Sequence, residues 1–180
     1  MTRVFVGVGS NIAPERNVRE AVRLLAAEVH VVAVSTAYRT APLGRVGQPE
    51  FYNCVVQIET GMSPARLRSA LRRIEGKLGR KRGDDKCAPR TIDLDVLIYG
   101  DLAVTTDAFV IPDPQIAERP FLALPLRELA PDLVLPGSGR PLREIAAELG
   151  GRDMQPLPEY TEVLRREVAN GQREDRALGR

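Results

Sequence analysis

Asp93 and Asp95 stand one leucine apart in a run, Thr91-Ile92-Asp93-Leu94-Asp95-Val96, that alternates apolar with polar. Successive strand side chains point to opposite faces, so Ile92, Leu94, Val96 and Ile98 are predicted to share a buried face. Asp93 and Asp95 then share the other, their stems roughly 7 Å apart at two strand rises. Two carboxylates so placed repel each other unless something positive lies between them. Hard oxygen ligands with no His or Cys beside them suit Mg²⁺, which takes one or two carboxylates and leaves its other positions to water and phosphate oxygens. The preceding stretch supplies a complement: Lys77, Arg80, Lys81, Arg82, Lys86 and Arg90 put six cations into fourteen residues. The combination reads as a metal-phosphate site. The other reading is a solvated charge run before a strand whose wet side carries Asp; Asp is depleted in strands, which favours the first.

Other chemistries are excluded residue by residue. Gly7-x-Gly9 follows a first strand but lacks the third glycine of a dinucleotide-binding turn, Ile12 standing in its place, and reads as a tight turn. There is no Walker sequence, and the one histidine, His30, rules out histidine-based triads. Cys54 and Cys87 lie too far apart for a metal knuckle or redox pair. A net charge of +2 with 4% aromatic residues does not suit a nucleic-acid binder. The N-terminal residues enter a strand at once, and no apolar run reaches membrane-spanning length. A cytoplasmic, reduced protein without membrane or nucleic-acid partners is expected.

The elements that must hold the carboxylates follow from periodicity. Val4, Val6 and Val8 mark a strand, Val18, Ala21, Val22 and Leu25 a helix over about 15–28, and residues 30–38 a second strand. Residues 41–49 form a loop rich in Gly and Pro, longer than a hairpin needs, and therefore a candidate binding loop. A third strand turns Tyr52, Cys54, Val56 and Ile58 inward and Phe51, Asn53 and Val55 to the other face. Ser63 as N-cap and Pro64 at the first helical position open a second helix, with Leu67, Leu71, Ile74 and Leu78 on its apolar stripe and Gly79 ending it. The strand carrying Asp93 comes next. This β-α-β-β-α-β order predicts an α+β, ferredoxin-like sheet with helices packed on it. A strand within 104–111 and short helices over 120–129 and 141–150 complete a single domain over 1–150. A C-terminal helical extension over 151–180 is expected to be partly frayed from Ala169.

With these features in one chain, the sequence resembles the 6-hydroxymethyl-7,8-dihydropterin pyrophosphokinases of folate synthesis. The resemblance rests on Gly7-x-Gly9-Ser10-Asn11, Tyr38-Arg39-Thr40 leading to Leu43-Gly44, Gln48-Pro49-x-Phe51-x-Asn53, the stretch from Glu75 to Asp95, and Pro112-x-Pro114 followed by Arg119 and Phe121. It implies transfer of pyrophosphate from ATP to the pterin hydroxymethyl group, with Asp93 and Asp95 holding two Mg²⁺ ions and Arg80 and Arg90 facing the phosphates. It further implies a pterin stacked by Phe51 and Phe121 and read by Asn53, Thr40 and Leu43, and a nucleotide held by Glu75, Arg82, Asp113 and Arg119. Cys87 stands where the family usually has Trp, Ala88 where it has Gly, and Asp113 where it has His; Asp113 is expected to turn away and pair with Arg119, the other outcomes being a carboxyl that stays protonated or an extra metal ligand. Residues 79–89 are expected to close as a lid. A monomer acting on small molecules is implied. Two alternatives share the fold: a slow or non-catalytic nucleotide- and pterin-binding protein, and a pyrophosphokinase for another alcohol.

Overall fold

The computed structural model describes residues 1–42, 47–81 and 88–177, with side chains through 171 at the C-terminal end. Strand β1 (Thr2–Ser10) lies at the centre of an antiparallel sheet, paired on one side with β4 (Phe51–Thr60) and on the other with β5 (Asp93–Tyr99). Beyond β4 the sheet divides. Strand β2 (His30–Val34) pairs with one half of β4, and β3 (Tyr38–Thr40) with the other half, followed by β8 (Met154–Pro156). Two further short strands, β6 (Val104–Thr105) and β7 (Val110–Ile111), make a separate hairpin.

The run expected as one strand over 30–38 is two. At Ser35 the side-chain hydroxyl, and not a main-chain carbonyl, accepts the N–H of Val55 at 2.9 Å, while the Ser35 N–H donates to the Val55 carbonyl. A side chain that takes over one rung lets the backbone leave the ladder and re-enter at Tyr38.

Both faces of the sheet are covered. Val4, Val6, Val8, Cys54, Val56, Ile58, Ile92 and Leu94 meet helices α1 (Pro14–Glu28), α2 (Pro64–Lys77) and α5 (Pro158–Ala177). On the opposite face Phe5, Val55 and Leu97 pack with α3 (Pro120–Leu129) and α4 (Leu142–Leu149). Ile98, expected beside Ile92 and Leu94, joins this second cluster, consistent with the register shift of β1 against β5 between Phe5 and Val6. Helix α2 starts as expected, the Ser63 hydroxyl accepting the Arg66 N–H, and Gly79 follows it at φ +76°. Burial pushes the Cys54 thiol up to about 12, so this cysteine is a core residue without nucleophilic character.

Beyond Gly151, where charge suggested a partly frayed extension, β8 adds to the sheet and α5 continues to Ala177. The reason is a sparse stripe inside a charged helix: Tyr160, Leu164 and Val168 recur every fourth residue and are buried. The Tyr160 ring meets that of Tyr52 edge-on at 5.3 Å, and its hydroxyl donates to the Glu15 carbonyl at 2.6 Å. Among the described residues no helix is long and apolar enough to cross a membrane. Leu164→Ala is expected to lower unfolding stability by about 2–5 kcal/mol, the usual cost of emptying a packed leucine site. Denaturant titration checks this; an unpacked tail would shift the midpoint hardly at all.

Candidate active site

Antiparallel register sets up one wet end on the α3 face of the sheet. Asp93 pairs with Gly9, which pairs with Asn53, which pairs with Tyr38; Asp95 pairs with Gly7, which pairs with Val55. Residues in such rows share a face. The glycines, expected to form a turn, lie within β1, between the carboxylates and β4, where they contribute no side chain. A Cβ on Gly9 would come within 2.7 Å of Asn53 Oδ1, and one on Gly7 within 3.3 Å of Leu97. Their role is close approach rather than turning.

Above this floor lies a cleft of about 770 Å³, a size that suits small-molecule ligands. It is lined by Thr40, Phe51, Asn53, Arg80, Arg90, Asp93, Asp95, Asp113, Arg119 and Phe121. Ten of the residues singled out in the sequence, drawn from both halves of the chain, therefore meet in one place. Leu43 and Arg82 lie outside the described residues, as does most of the stretch expected to close as a lid.

Asp93 in the cleft already faces two cations. Arg90 Nη1 donates to Asp93 Oδ2, and Arg80 Nη2 lies 3.6 Å from Asp93 Oδ1, all three side chains being largely shielded from solvent. Asp95, two residues on, is exposed. Among the described residues Arg80 Nε and Nη1 are buried without a hydrogen-bond partner, which leaves a guanidinium short of acceptor oxygens inside the cleft. Phosphate oxygens would satisfy it. The carboxylate pair is a hard-oxygen donor set, and no group of three His, Cys, Asp or Glu side chains forms among the described residues. These residues fit Mg²⁺ held in part by a phosphate-bearing ligand better than a metal caged by protein alone.

Neutral buried groups hold the backbone at Arg90 and Thr91. Asn11, 1% exposed, accepts the Arg90 N–H at 2.7 Å on its side chain and donates its own N–H to the Arg90 carbonyl. Its amide also reaches the Pro49 carbonyl at 3.3 Å, tying the approach to Arg90 to the approach to Phe51. Ser10, fully buried, donates to the Thr91 carbonyl at 2.6 Å. The Gly-Ser-Asn sequence signalled these two, but only the fold shows what they grip.

Two expectations are corrected. Glu75 does not line the cleft: it is 2% exposed, and its carboxylate accepts the Leu94 N–H at 3.0 Å, joining α2 to β5. It sits on the apolar stripe of α2, and a carboxylate there finds a main-chain donor. Asp113 does not pair with Arg119. Its Oδ1 accepts the Gln115 N–H at 2.8 Å and caps the 3-10 turn Pro114–Ala117. An Asp directly before Pro is well placed for this capping role.

An antiparallel sheet covered by helices on both faces, with a carboxylate-arginine cleft at one end, defines a mixed α/β protein whose cleft suits an anionic small molecule. Comparison narrows this. A model of the 7,8-dihydro-6-hydroxymethylpterin-pyrophosphokinase family matches residues 5–131. The Methylorubrum extorquens 2-amino-4-hydroxy-6-hydroxymethyldihydropteridine pyrophosphokinase is 41% identical over 152 residues, covering 83% of this chain and 94% of that protein. The Pseudomonas aeruginosa protein of the same name is 38% identical over 159 residues, covering 87% and 97%. Among solved structures, a Plasmodium falciparum HPPK-DHPS triple mutant with pteroate superposes with a TM-score of 0.65 at 13% identity, over 82% of this chain and 43% of that longer one. That likeness concerns the fold. The chain belongs to the 7,8-dihydro-6-hydroxymethylpterin-pyrophosphokinase family.

Burial, more than any other cause, raises the Asp113 carboxyl above its ordinary value of 3.8. Between that value and the raised one the folded protein holds the proton more firmly than the unfolded chain. The cost of burying the charge is absent below this window and fully present above it. Asp113→Asn keeps an acceptor for Gln115 and removes the charge. It should therefore be more stable than the parent protein at pH 7, with the gap closing as pH falls toward 4, as read from denaturant midpoints across that range.

Proposed function

We propose that this protein transfers the pyrophosphoryl group of ATP to the hydroxymethyl oxygen of 6-hydroxymethyl-7,8-dihydropterin, releasing AMP and the pterin diphosphate for folate synthesis. One observation carries the reading. The carboxylate-arginine cluster suited to phosphates and the Phe51, Phe121, Asn53 and Thr40 group suited to a flat polar bicycle line the same cleft. The family match and the names of the relatives agree with it. The strand path β5-β1-β4-β2, with α1 and α2 on one face, supports the ferredoxin-like description, to which β3, β8 and α3–α5 are additions. We read the enzyme as a cytoplasmic monomer working on small molecules.

Asp93 and Asp95 would hold Mg²⁺, two ions on this reading, which when bound neutralises and orients the ATP phosphates. Arg80 offers Nε and Nη1 to phosphate oxygens, and Arg90 stands beside it on Asp93. Arg80 and Arg90, which face Asp93, are the groups that would match the charge of the phosphates on this assignment. Arg119 and Asp113 line the nucleotide side on this assignment. Attack by the pterin oxygen on the β-phosphorus needs in-line placement and charge stabilisation, with no covalent enzyme intermediate. Asn53 Nδ2 donates to Thr40 Oγ1 at 2.8 Å, which fixes the amide orientation and leaves Oδ1 as an acceptor for the amino edge of the pterin.

Incubation with ATP, Mg²⁺ and the hydroxymethyl dihydropterin tests the proposal; AMP and pterin diphosphate should appear together, and their absence sinks it. Asp93→Ala and Asp95→Ala should each lower turnover at least about 100-fold, the scale of losing charge stabilisation at a transferring phosphoryl group. They should differ in stability. Asp95→Ala, at an exposed position, should cost little, whereas Asp93→Ala removes the carboxylate that the shielded Arg80 and Arg90 face and should cost about 1–3 kcal/mol. Gly9→Ala should fold yet displace Asn53, raising the KM for the pterin more than that for ATP; equal KM values for parent and variant would remove Asn53 from the pterin site.

A further inference from the structure

Thr40 lies at the end of a strand only three residues long, which cannot hold its own position. On one side of β3, Tyr38 and Thr40 pair with Asn53 and Phe51 of β4. On the other side all three residues pair with Met154–Pro156 of β8, well beyond residue 131, where the family match ends. The residue just before the strand is held harder still. Ala37 is fully buried; its N–H donates to Thr161 Oγ1 at 2.9 Å, and its carbonyl accepts the Leu157 N–H at 2.8 Å.

The Thr161 hydroxyl cannot swing away. It donates its hydrogen to the Leu157 carbonyl at 2.8 Å, so its lone pairs are left for Ala37. Thr161 is itself 3% exposed, in the first turns of a helix seated by Tyr160, Leu164 and Val168. The packed helix thus reaches the residue before β3 through the Thr161 hydroxyl. Arg39 adds an outer link, its Nε donating to the Gln155 side chain at 3.1 Å.

We propose that Thr161 is a positioning residue for the pterin site: through Ala37 it sets where Thr40 stands against Asn53, and so tunes affinity for the pterin but not for ATP. The proposal rests on the assignment of the Thr40–Asn53 end of the cleft to the pterin. Loss of the hydroxyl should shift the strand and not unfold it, because Glu128 of α3 independently accepts the Thr36 N–H at 2.8 Å and the Tyr38 hydroxyl, and the β4 rungs remain.

Thr161→Val keeps the shape and removes the acceptor; Thr161→Ser keeps the hydroxyl. With Val, the KM for the pterin should rise about fivefold, the size expected for one lost intramolecular hydrogen bond, while that for ATP stays within about twofold. Amide exchange at residues 38–40 should quicken, and the Ser variant should behave as the parent on every measure. Asn53→Ala, run alongside, reports on the pocket itself and should raise the pterin KM. Gln155→Ala, at an exposed position where folding is safe, should give a smaller rise if Thr161→Val is too unstable to assay. An unchanged pterin KM in both brace variants, with Asn53→Ala impaired, overturns the brace. An unchanged KM in Asn53→Ala overturns the pocket assignment and the proposal with it. Equal rises for pterin and ATP mean a merely structural hydroxyl and also overturn it.

Discussion

The site depends on a central strand that carries no side chain where it passes between two working strands. Gly7 and Gly9 face Asp95 and Asp93 on one side and Val55 and Asn53 on the other. Because Asn53 Oδ1 occupies the volume a Gly9 Cβ would need, the amide of one strand and the carboxylate of another can address the same space. The face changes character along its length. Phe5, Val55 and Leu97 lie under α3 and α4, and the row beyond them is open and polar. A sheet buried on both faces can afford that opening only at an end, where covering helices stop.

Charge is then placed by groups that carry none. Arg90 is gripped at its backbone by Asn11, and Arg80 follows a glycine in the left-handed region, its N–H returning to the Glu75 carbonyl at 3.0 Å. Asp93 is thereby clamped between two guanidiniums while Asp95 remains open to solvent. Such an arrangement is preorganised for an anion: the dipoles and cations are already oriented, so little reorganisation is left for the moment of reaction. The buried Glu75 contributes from behind by fastening α2 to the first residues of β5.

The C-terminal residues show how a charged segment becomes part of a core. Most of α5 is polar, yet three residues at helical spacing suffice to bury one face against α1 and the sheet, and β8 occupies an edge that β3 would otherwise leave open. The helix and strand reach the cleft through main-chain contacts, the Thr161 hydroxyl and the Gln155 side chain.

Much of this was legible in the chain itself. Alternation placed Asp93 and Asp95 on one face, Ser63-Pro64 opened α2, and the residue types implied phosphate and metal chemistry, because these are consequences of local geometry and of what a carboxylate or guanidinium can bind. What local rules could not decide was contact between distant segments. Only the register of β1 between β4 and β5 shows Gly7 and Gly9 as floor rather than turn, and only packing shows Glu75 as a tie to Leu94 and Asp113 as a cap rather than a partner of Arg119. The break at Ser35 arose from a hydroxyl meeting a strand twenty residues away, which no periodicity records. Residue types and their spacing along single elements settle which side chains could do the chemistry. Tertiary structure decided which of them meet, because burial gives each polar group one partner and that partner is seldom near in the chain.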